Sequence, residues 1–145
     1  MFTVPIHAQS EAVRNVHPRT CYLVDPGLAT ASSYRASEDL GHLLENNVYL
    51  ELRRRGHEIA YVQTKSGVEV DFLATPLVGP PTLIQVCADL SEPATRAREL
   101  RALSEAMREE MIAEALIVTM DESDDLALPE GHVRVVPAWR WLLEV

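Results

Sequence analysis

Apolar residues at helical spacing mark the segment that follows Ser37. They recur at intervals of three and four residues as far as Leu52. Three consecutive arginines, Arg53–Arg55, and then Gly56 follow. Serine is a preferred N-cap residue, while cations in the last turn and a glycine just beyond it are typical of helix C-termini. The pattern predicts a helix that begins after Ser37 and ends at the arginines.

Apolar and polar residues alternate over residues 57–63 and again over residues 68–74, with Thr64-Lys65-Ser66-Gly67 between them. Strict alternation indicates strands with one buried face, and a short turn between two such runs predicts a β-hairpin. Residues 82–87 and 115–119 are almost entirely apolar, which is typical of strands buried on both faces. These runs predict the centre of a sheet.

The rest of the chain carries weaker signals. They predict an irregular lead-in over residues 1–20 with a short helix near Ser10–Asn15, a strand over 21–25, a loop over 29–36, a helix over 95–111, a solvated acidic loop over 121–125, a strand over 133–136 and a short helix after Pro137. A strand–helix–strand step requires a parallel pair, whereas the hairpin requires an antiparallel one. We therefore expect one α/β domain over residues 21–145, with a mixed sheet flanked by helices.

Composition narrows the class of protein. A chain of 145 residues fits one domain, and its net charge of −9 argues against a broad nucleic-acid surface. No apolar run approaches the ~20 residues that span a bilayer, so a cytoplasmic location without membrane contact is expected. Cys21 and Cys87 lie in apolar runs and are expected to be buried, reduced thiols. The absence of a G-x-x-x-x-G-K-[ST] motif excludes nucleotide hydrolysis by this chain.

Charged side chains stand where burial is expected. Glu45 lies in the apolar sector of the first predicted helix, and Asp71 interrupts a strand of valine and phenylalanine. Gln85 and Cys87 are two residues apart on the next strand, so they share one face. A carboxylate in an apolar strand costs several kcal/mol unless it is paired or holds a cation. Two interpretations stay open, a buried polar network and a pair of metal ligands.

Several motifs resemble one family of domains. G-H-L-L-E-N-N-V-Y-L-E-L over residues 41–52, followed by R-R-G, is similar to the helix of a domain that follows the ATPase core in many archaeal and bacterial AAA-type ATPases. Four further segments are similar to other parts of that domain. They are Y-L-V-D-P-G-L over 22–28, E-V-D-F over 69–72, L-I-Q-V-C over 83–87 and P-A-W-R-W-L-L over 137–143. The layout of helix glutamate, strand aspartate and X-Val-X also resembles the PD-(D/E)XK nucleases, which implies a restriction-endonuclease-like fold.

The nuclease resemblance implies a Mg²⁺ site made by Glu45, Asp71, Gln85 and the carbonyl of Val86, where a metal-activated water would attack a phosphodiester. Two positions depart from that pattern. Gln85 replaces an acidic ligand, and Cys87 stands where the pattern has lysine, so the site lacks a cation to stabilise the developing charge. The single lysine, Lys65, is in the predicted hairpin turn, up to about 20 Å from Asp71 along an extended strand.

Two functions follow from the resemblance. The first is a catalytically impaired nuclease-like module for protein interaction or DNA recognition, alone or as part of a larger ATPase. The second is an active Mg²⁺-dependent DNA endonuclease or junction-resolving enzyme that uses Glu45, Asp71 and Gln85. Candidate partners are DNA, an ATPase module or another protein, and a second copy of the chain. Candidate DNA contacts, which are otherwise solvated helix arginines, are Arg53, Arg54, Arg55, Arg98 and Arg101. Trp139 and Trp141 are expected to be packing anchors.

Overall fold

A computed structural model describes residues 1–8, 20–25 and 38–144 of the chain. Its strands are β1 (Phe2–Val4), β2 (Thr20–Tyr22), β3 (Glu58–Gln63), β4 (Glu69–Thr75), β5 (Thr82–Val86), β6 (Glu114–Thr119), β7 (Asp124–Leu128) and β8 (Gly131–Pro137). Its helices are α1 (Glu38–Arg54), α2 (Pro93–Glu110) and α3 (Ala138–Leu143). The predicted helix near Ser10–Asn15, the loop over 29–36 and the N-cap Ser37 lie outside the described residues.

The main sheet has six strands in the order β3-β4-β5-β6-β8-β7. β3, β4 and β5 pair antiparallel, β5, β6 and β8 pair parallel, and β7 returns antiparallel beside β8. α2 forms the crossover between β5 and β6, as the strand–helix–strand pattern requires. The mixed α/β fold predicted from the sequence, a mixed sheet flanked by helices, is confirmed.

Two cores lie on opposite faces of this sheet. α1 and α3 bury Leu44, Val48, Leu52 and Trp141 on one face, together with Ile84 and Leu116 of the sheet. α2 buries Leu103 and Met107 on the other face, together with Leu83 and Ile117. Leu83 and Ile84 are neighbours on β5 but belong to different cores, because side chains alternate across a strand. This is why the central strands are apolar throughout.

The N-terminal segment belongs to the first core and is not wholly irregular. Phe2–Val4 pairs antiparallel with Thr20–Tyr22, and Ile6 forms a parallel bridge with Tyr61 of β3. Val4 is 1 % exposed and Ile6 is 6 % exposed. An alternating run of three residues is too short to identify a strand from sequence, so β1 was not predicted.

Three further expectations are wrong. The acidic segment over 121–125 is not all loop, because Asp124 and Asp125 begin β7, an edge strand whose charged side chains face solvent. Trp141 is buried, but Trp139 is 61 % exposed. The two residues lie about 200° apart around a helix, so they cannot both face the sheet. Cys21 is exposed and Cys87 is partly buried, and neither forms a disulfide.

No helix within the described parts of the chain is both long enough and apolar enough to cross a membrane.

Gly131 is the position where the fold is least tolerant of a side chain. Its φ is +156°, and a Cβ atom there would lie 2.1 Å from the carbonyl oxygen of Ala113. That oxygen also accepts a hydrogen bond from the His132 amide, so it is not free to move away. We expect Gly131→Ala to lower the free energy of unfolding by roughly 1–3 kcal/mol, because of steric overlap and strain.

Gly41→Ala is the matched control, since Gly41 is within α1 and a Cβ there would meet nothing within 4 Å. This change should raise stability by roughly 0.5–1 kcal/mol through helix propensity. Urea denaturation of both variants measures the two effects, and equal stabilities would contradict the described geometry at Gly131.

Candidate functional site

A bulge in β4 positions Asp71. Glu58–Ala60 pair with Thr75–Leu73 in one register, whereas Val62 and Gln63 pair with Val70 and Glu69 in a register shifted by one residue. Asp71 and Phe72 therefore stand opposite one residue of β3, Tyr61. A bulge bends its strand and redirects side chains. Val70 consequently packs with the α2 core and Phe72 with the α1 core, although strict alternation would put both on one face.

The carboxylate of Asp71 is held by the backbone of β5. Its Oδ2 atom accepts a hydrogen bond of 2.7 Å from the Val86 amide. The Asp71 amide in turn donates to Oε1 of Gln85 at 3.2 Å. The side chains of Asp71 and Gln85 therefore join β4 to β5 beyond the end of the regular ladder, in which only Phe72–Ala74 pair with β5. Gln85 and Val86, which were predicted as ligands with Asp71, are brought next to it.

Gln85 extends this network to α2. It is 8 % exposed, and its Nε2 atom donates to Oε2 of Glu99 at 2.8 Å. Glu99 is itself 6 % exposed and receives two further bonds on Oε1, of 3.0 and 2.7 Å, from the guanidinium of Arg98. Glu99 was not identified from the sequence. A signal existed, because this carboxylate is in register with Leu103 and Ala106 on the buried stripe of α2.

Glu45 is held from the other side by Tyr22. The hydroxyl of Tyr22 donates to Oε1 of Glu45 at 2.6 Å, and His42 lies 3.9 Å from Oε2. Tyr22 is 5 % exposed and stacks on Tyr49 with ring centroids 4.3 Å apart. The next residue of α1, Asn46, bonds both the amide and the carbonyl of Leu23, at 2.7 and 3.0 Å. Glu45 and Asn46 thus fix the end of β2 on α1.

The charge of Glu45 affects the pKa of Asp71. Burial raises the pKa of Asp71 to about 8, and the negative charge of Glu45 adds to this, against the lowering effect of the Val86 amide. Burial and the same Glu45 charge raise the pKa of Tyr22 well above its ordinary value. Burial also raises the pKa of the Cys87 thiol, which therefore stays protonated and neutral near pH 7.

The described residues contain no group of three His, Cys, Asp or Glu side chains arranged to hold a metal ion. Oxygen donors that would suit a hard cation belong to Asp71 and Gln85, which are hydrogen-bonded to each other, and to Glu45, whose charge acts on Asp71. One oxygen of each already accepts a hydrogen bond from Tyr22, Val86 or Asp71. A bound Mg²⁺ would take the remaining oxygens or displace these donors. Lys65 lies in the hairpin turn, where its amide bonds Glu109, and not at this cluster.

The five arginines predicted as DNA contacts do not form one surface. Arg53–Arg55 lie at the end of α1, and Arg98 and Arg101 lie on α2, which packs on the opposite face of the sheet. Arg54 and Arg55 both bond Glu51, at distances between 2.6 and 2.7 Å. The guanidinium of Arg53 stacks on Phe2, 3.8 Å from the ring centroid.

A family model described as "Domain of unknown function (DUF4143)" matches residues 40–141. That range contains α1, the main sheet, α2 and the Glu45–Asp71–Gln85–Glu99 cluster. The chain belongs to this family.

A curated relative belongs to the archaeon Methanocaldococcus jannaschii and is described as "Uncharacterized protein MJ1544". It is 36 % identical over 121 residues, which cover 74 % of this chain and 26 % of the relative. The chain therefore spans about a quarter of the length of that protein. No solved structure matches the chain.

The pH dependence of stability tests the environment of Asp71. Because its pKa is about 8 in the folded protein and about 3.9 when unfolded, the folded state retains a proton that the unfolded state has lost. Stability from this group is complete below pH ~4 and is lost as the pH rises towards 8. The expected slope is up to about 1.4 kcal/mol per pH unit.

Asp71→Asn should remove this slope, since asparagine keeps an oxygen for the Val86 amide without a charge. Chemical denaturation from pH 5 to 8 measures the difference between wild type and variant. Glu51 has a pKa lowered to about 2 by its bond to Arg54, so its own contribution is lost only as the pH falls below ~4.5. The same pH dependence of stability in wild type and in Asp71→Asn would contradict the buried state of Asp71.

Proposed function

We propose that this domain is a nuclease-like accessory module that works by protein interaction and not by cleaving DNA. The observation that carries the proposal is the hydrogen-bond network around Asp71, in which one oxygen of Asp71 and the side-chain oxygen of Gln85 accept bonds from the backbone, and Gln85 donates to Glu99. This network joins β4, β5 and α2, which is a structural role. The fold is compatible with the restriction-endonuclease-like class that the motif resemblance implies.

The position of the missing lysine supports the same proposal. Cys87 follows Val86 directly, and its Sγ donates to the carbonyl of Asp89 at 3.2 Å. A neutral thiol engaged with the backbone cannot supply the positive charge that stabilises a pentacovalent phosphate. A cationic side chain beside the cluster, Arg98, is bound to Glu99. Phosphoryl transfer would therefore lack its usual electrostatic support.

Surface charge favours a protein partner over DNA. The net charge is −9, and Arg54, Arg55 and Arg98 are paired with carboxylates of their own helices. Neighbouring apolar side chains are exposed at several places, among them Leu77 and Val78 in the β4–β5 loop, and Trp139 and Leu143 one turn apart on α3. Exposed apolar side chains in groups are typical of protein contacts.

The length of the relative suggests that this module belongs to a larger protein. The matched segment is only 26 % of that protein, so the relative contains this domain beside a much longer polypeptide. The motif resemblance to domains that follow an AAA-type ATPase core would account for such an arrangement. The proposed partner is accordingly an ATPase module, in the same polypeptide or in another one.

A Mg²⁺-dependent endonuclease or junction-resolving enzyme is the second candidate, and one observation favours it. Burial, and after it the negative charge of Glu45, raises the pKa of Asp71 to about 8. A divalent cation bound between these two carboxylates would relieve the repulsion between their charges. In that case Glu45, Asp71, Gln85 and the Val86 carbonyl would hold the metal, and the metal would polarise a water molecule.

A nuclease assay separates the two candidates. Linear and branched DNA are incubated with the protein and Mg²⁺ or Mn²⁺, beside Asp71→Ala and the control Asp121→Ala, which changes an exposed aspartate outside the cluster. We expect no cleavage by any of the three proteins, because the site lacks a cation at position 87. Cleavage by wild type and Asp121→Ala that is lost in Asp71→Ala would establish the endonuclease.

DNA binding without cleavage is measured with the same proteins by fluorescence anisotropy of a labelled duplex at low salt. Specific or non-specific binding depends on phosphate contacts and weakens steeply with salt. We expect no salt-dependent binding at micromolar protein. Binding that is weakened together by Arg53→Ala and Arg54→Ala would instead support DNA recognition.

A further inference from the structure

A cavity of about 400 Å³ lies at the end of the sheet away from Asp71. It is found where β5, β6 and β8 begin, beside Thr82, Glu114 and His132. Asp71 bonds Val86 at the other end of β5, which is about 13 Å away at ~3.3 Å per residue. α1 ends at Arg54 and α3 is six residues long, so the helices leave this part of the sheet uncovered.

The floor and inner wall of the cavity are apolar. Ile84 and Leu116 form the floor, and both are buried members of the α1 core. Leu52 of α1 and Trp141 of α3 form the wall. Small-molecule sites have volumes of about 300–1,000 Å³ and combine such an apolar lining with a few polar groups. The volume of this cavity falls within that range, and most of its exposed lining is polar.

The polar groups around the cavity are mainly cationic or imidazole groups. Arg55, His57, His132 and Arg134 line it, against one carboxylate, Glu114. This composition is the opposite of the chain as a whole, whose net charge is −9. Glu114 has a side chain that is 68 % exposed, and it lies 3.7 Å from His132, so it can turn towards solvent. These guanidinium and imidazole groups supply N–H donors that an anion can use, while Glu51 pairs with Arg55 and Glu144 with Arg134.

The two arginines of the cavity differ in their contacts: Arg55 is held by hydrogen bonds, and Arg134 has N–H groups without a hydrogen-bond partner among the described residues. Arg55 is anchored by Glu51 at 2.7 Å and by the Trp141 carbonyl at 2.6 Å, and its guanidinium lies 4.5 Å from the centre of the Trp141 ring. Arg134 makes no side-chain hydrogen bond within the described residues, and its ion pair with Glu144 is 3.6 Å long. A guanidinium has five N–H donors, arranged to grip a carboxylate or phosphate.

We propose that this cavity binds a small organic anion, with its phosphate or carboxylate group on Arg134 and His132 and its apolar part over Ile84 and Leu116. Arg55 and His57 line the cavity behind the ligand. Asp125, 3.5 Å from His132, is 74 % exposed and is displaced from that contact when the anion binds. The site is separate from the Asp71 cluster, so it does not depend on whether that cluster binds metal.

The test uses three probes of similar shape, phenyl phosphate, benzoate and phenol, titrated at constant ionic strength into the ¹⁵N-labelled protein. We expect saturable shifts of the Ala115 and His132 amides and of the Trp141 indole with at least one of the two anions. Whichever anion binds more tightly identifies the phosphate or the carboxylate as the preferred group. Phenol should give no saturable shift, because it lacks the charge.

Arg134→Gln should weaken anion binding at least about tenfold, since a charged hydrogen-bond partner is lost. Arg140→Gln is the matched control: Arg140 also pairs with Glu144 at 3.6 Å but does not line the cavity, so its affinity should stay within about twofold of wild type. His132→Gln provides a second variant if Arg134→Gln alters the spectrum of the unliganded protein. Failure of both anions to saturate, equal shifts with phenol, or unchanged affinity in Arg134→Gln and His132→Gln would overturn the proposal.

Discussion

The hydrogen bond from the Val86 amide to the carboxylate of Asp71 is the interaction on which the centre of this domain depends. It lies beside the β4 bulge, where the regular ladder between β4 and β5 stops. A buried carboxylate is costly unless its oxygens are bonded, and the backbone of β5 provides that bond. Because Gln85 bonds both the Asp71 amide and Glu99, the same point connects the sheet to α2.

Much of this fold follows from residue pattern alone. The helical spacing between Ser37 and Gly56 identifies α1, and the alternation around Lys65 identifies the hairpin of β3 and β4. The apolar run at Thr82–Val86 identifies a strand covered on both faces. These features are local, so a single sequence contains them. β7 was missed because its acidic residues are typical of a loop, and only pairing with β8 makes them a strand.

The candidate site was predictable in part. A carboxylate within an apolar pattern identified Glu45 and Asp71, and strand alternation placed Gln85 near them. Glu99 and Tyr22 depend on contacts between segments far apart in the chain, which no local pattern contains. The bulge is also invisible in the sequence, since it consists of one extra residue in β4 relative to β3. The five arginines that are candidate DNA contacts lie on two helices, α1 and α2, which pack on opposite faces of the sheet.

We propose that the Glu45–Asp71–Gln85–Glu99 cluster is a structural junction and not a metal site. Electron paramagnetic resonance of Mn²⁺ tests it most directly, because it counts the free ion in the presence of the folded protein. We predict that all added Mn²⁺ stays free at millimolar concentration near pH 7, in wild type and in Asp71→Asn alike. One equivalent of Mn²⁺ bound by wild type and released in Asp71→Asn would contradict the account.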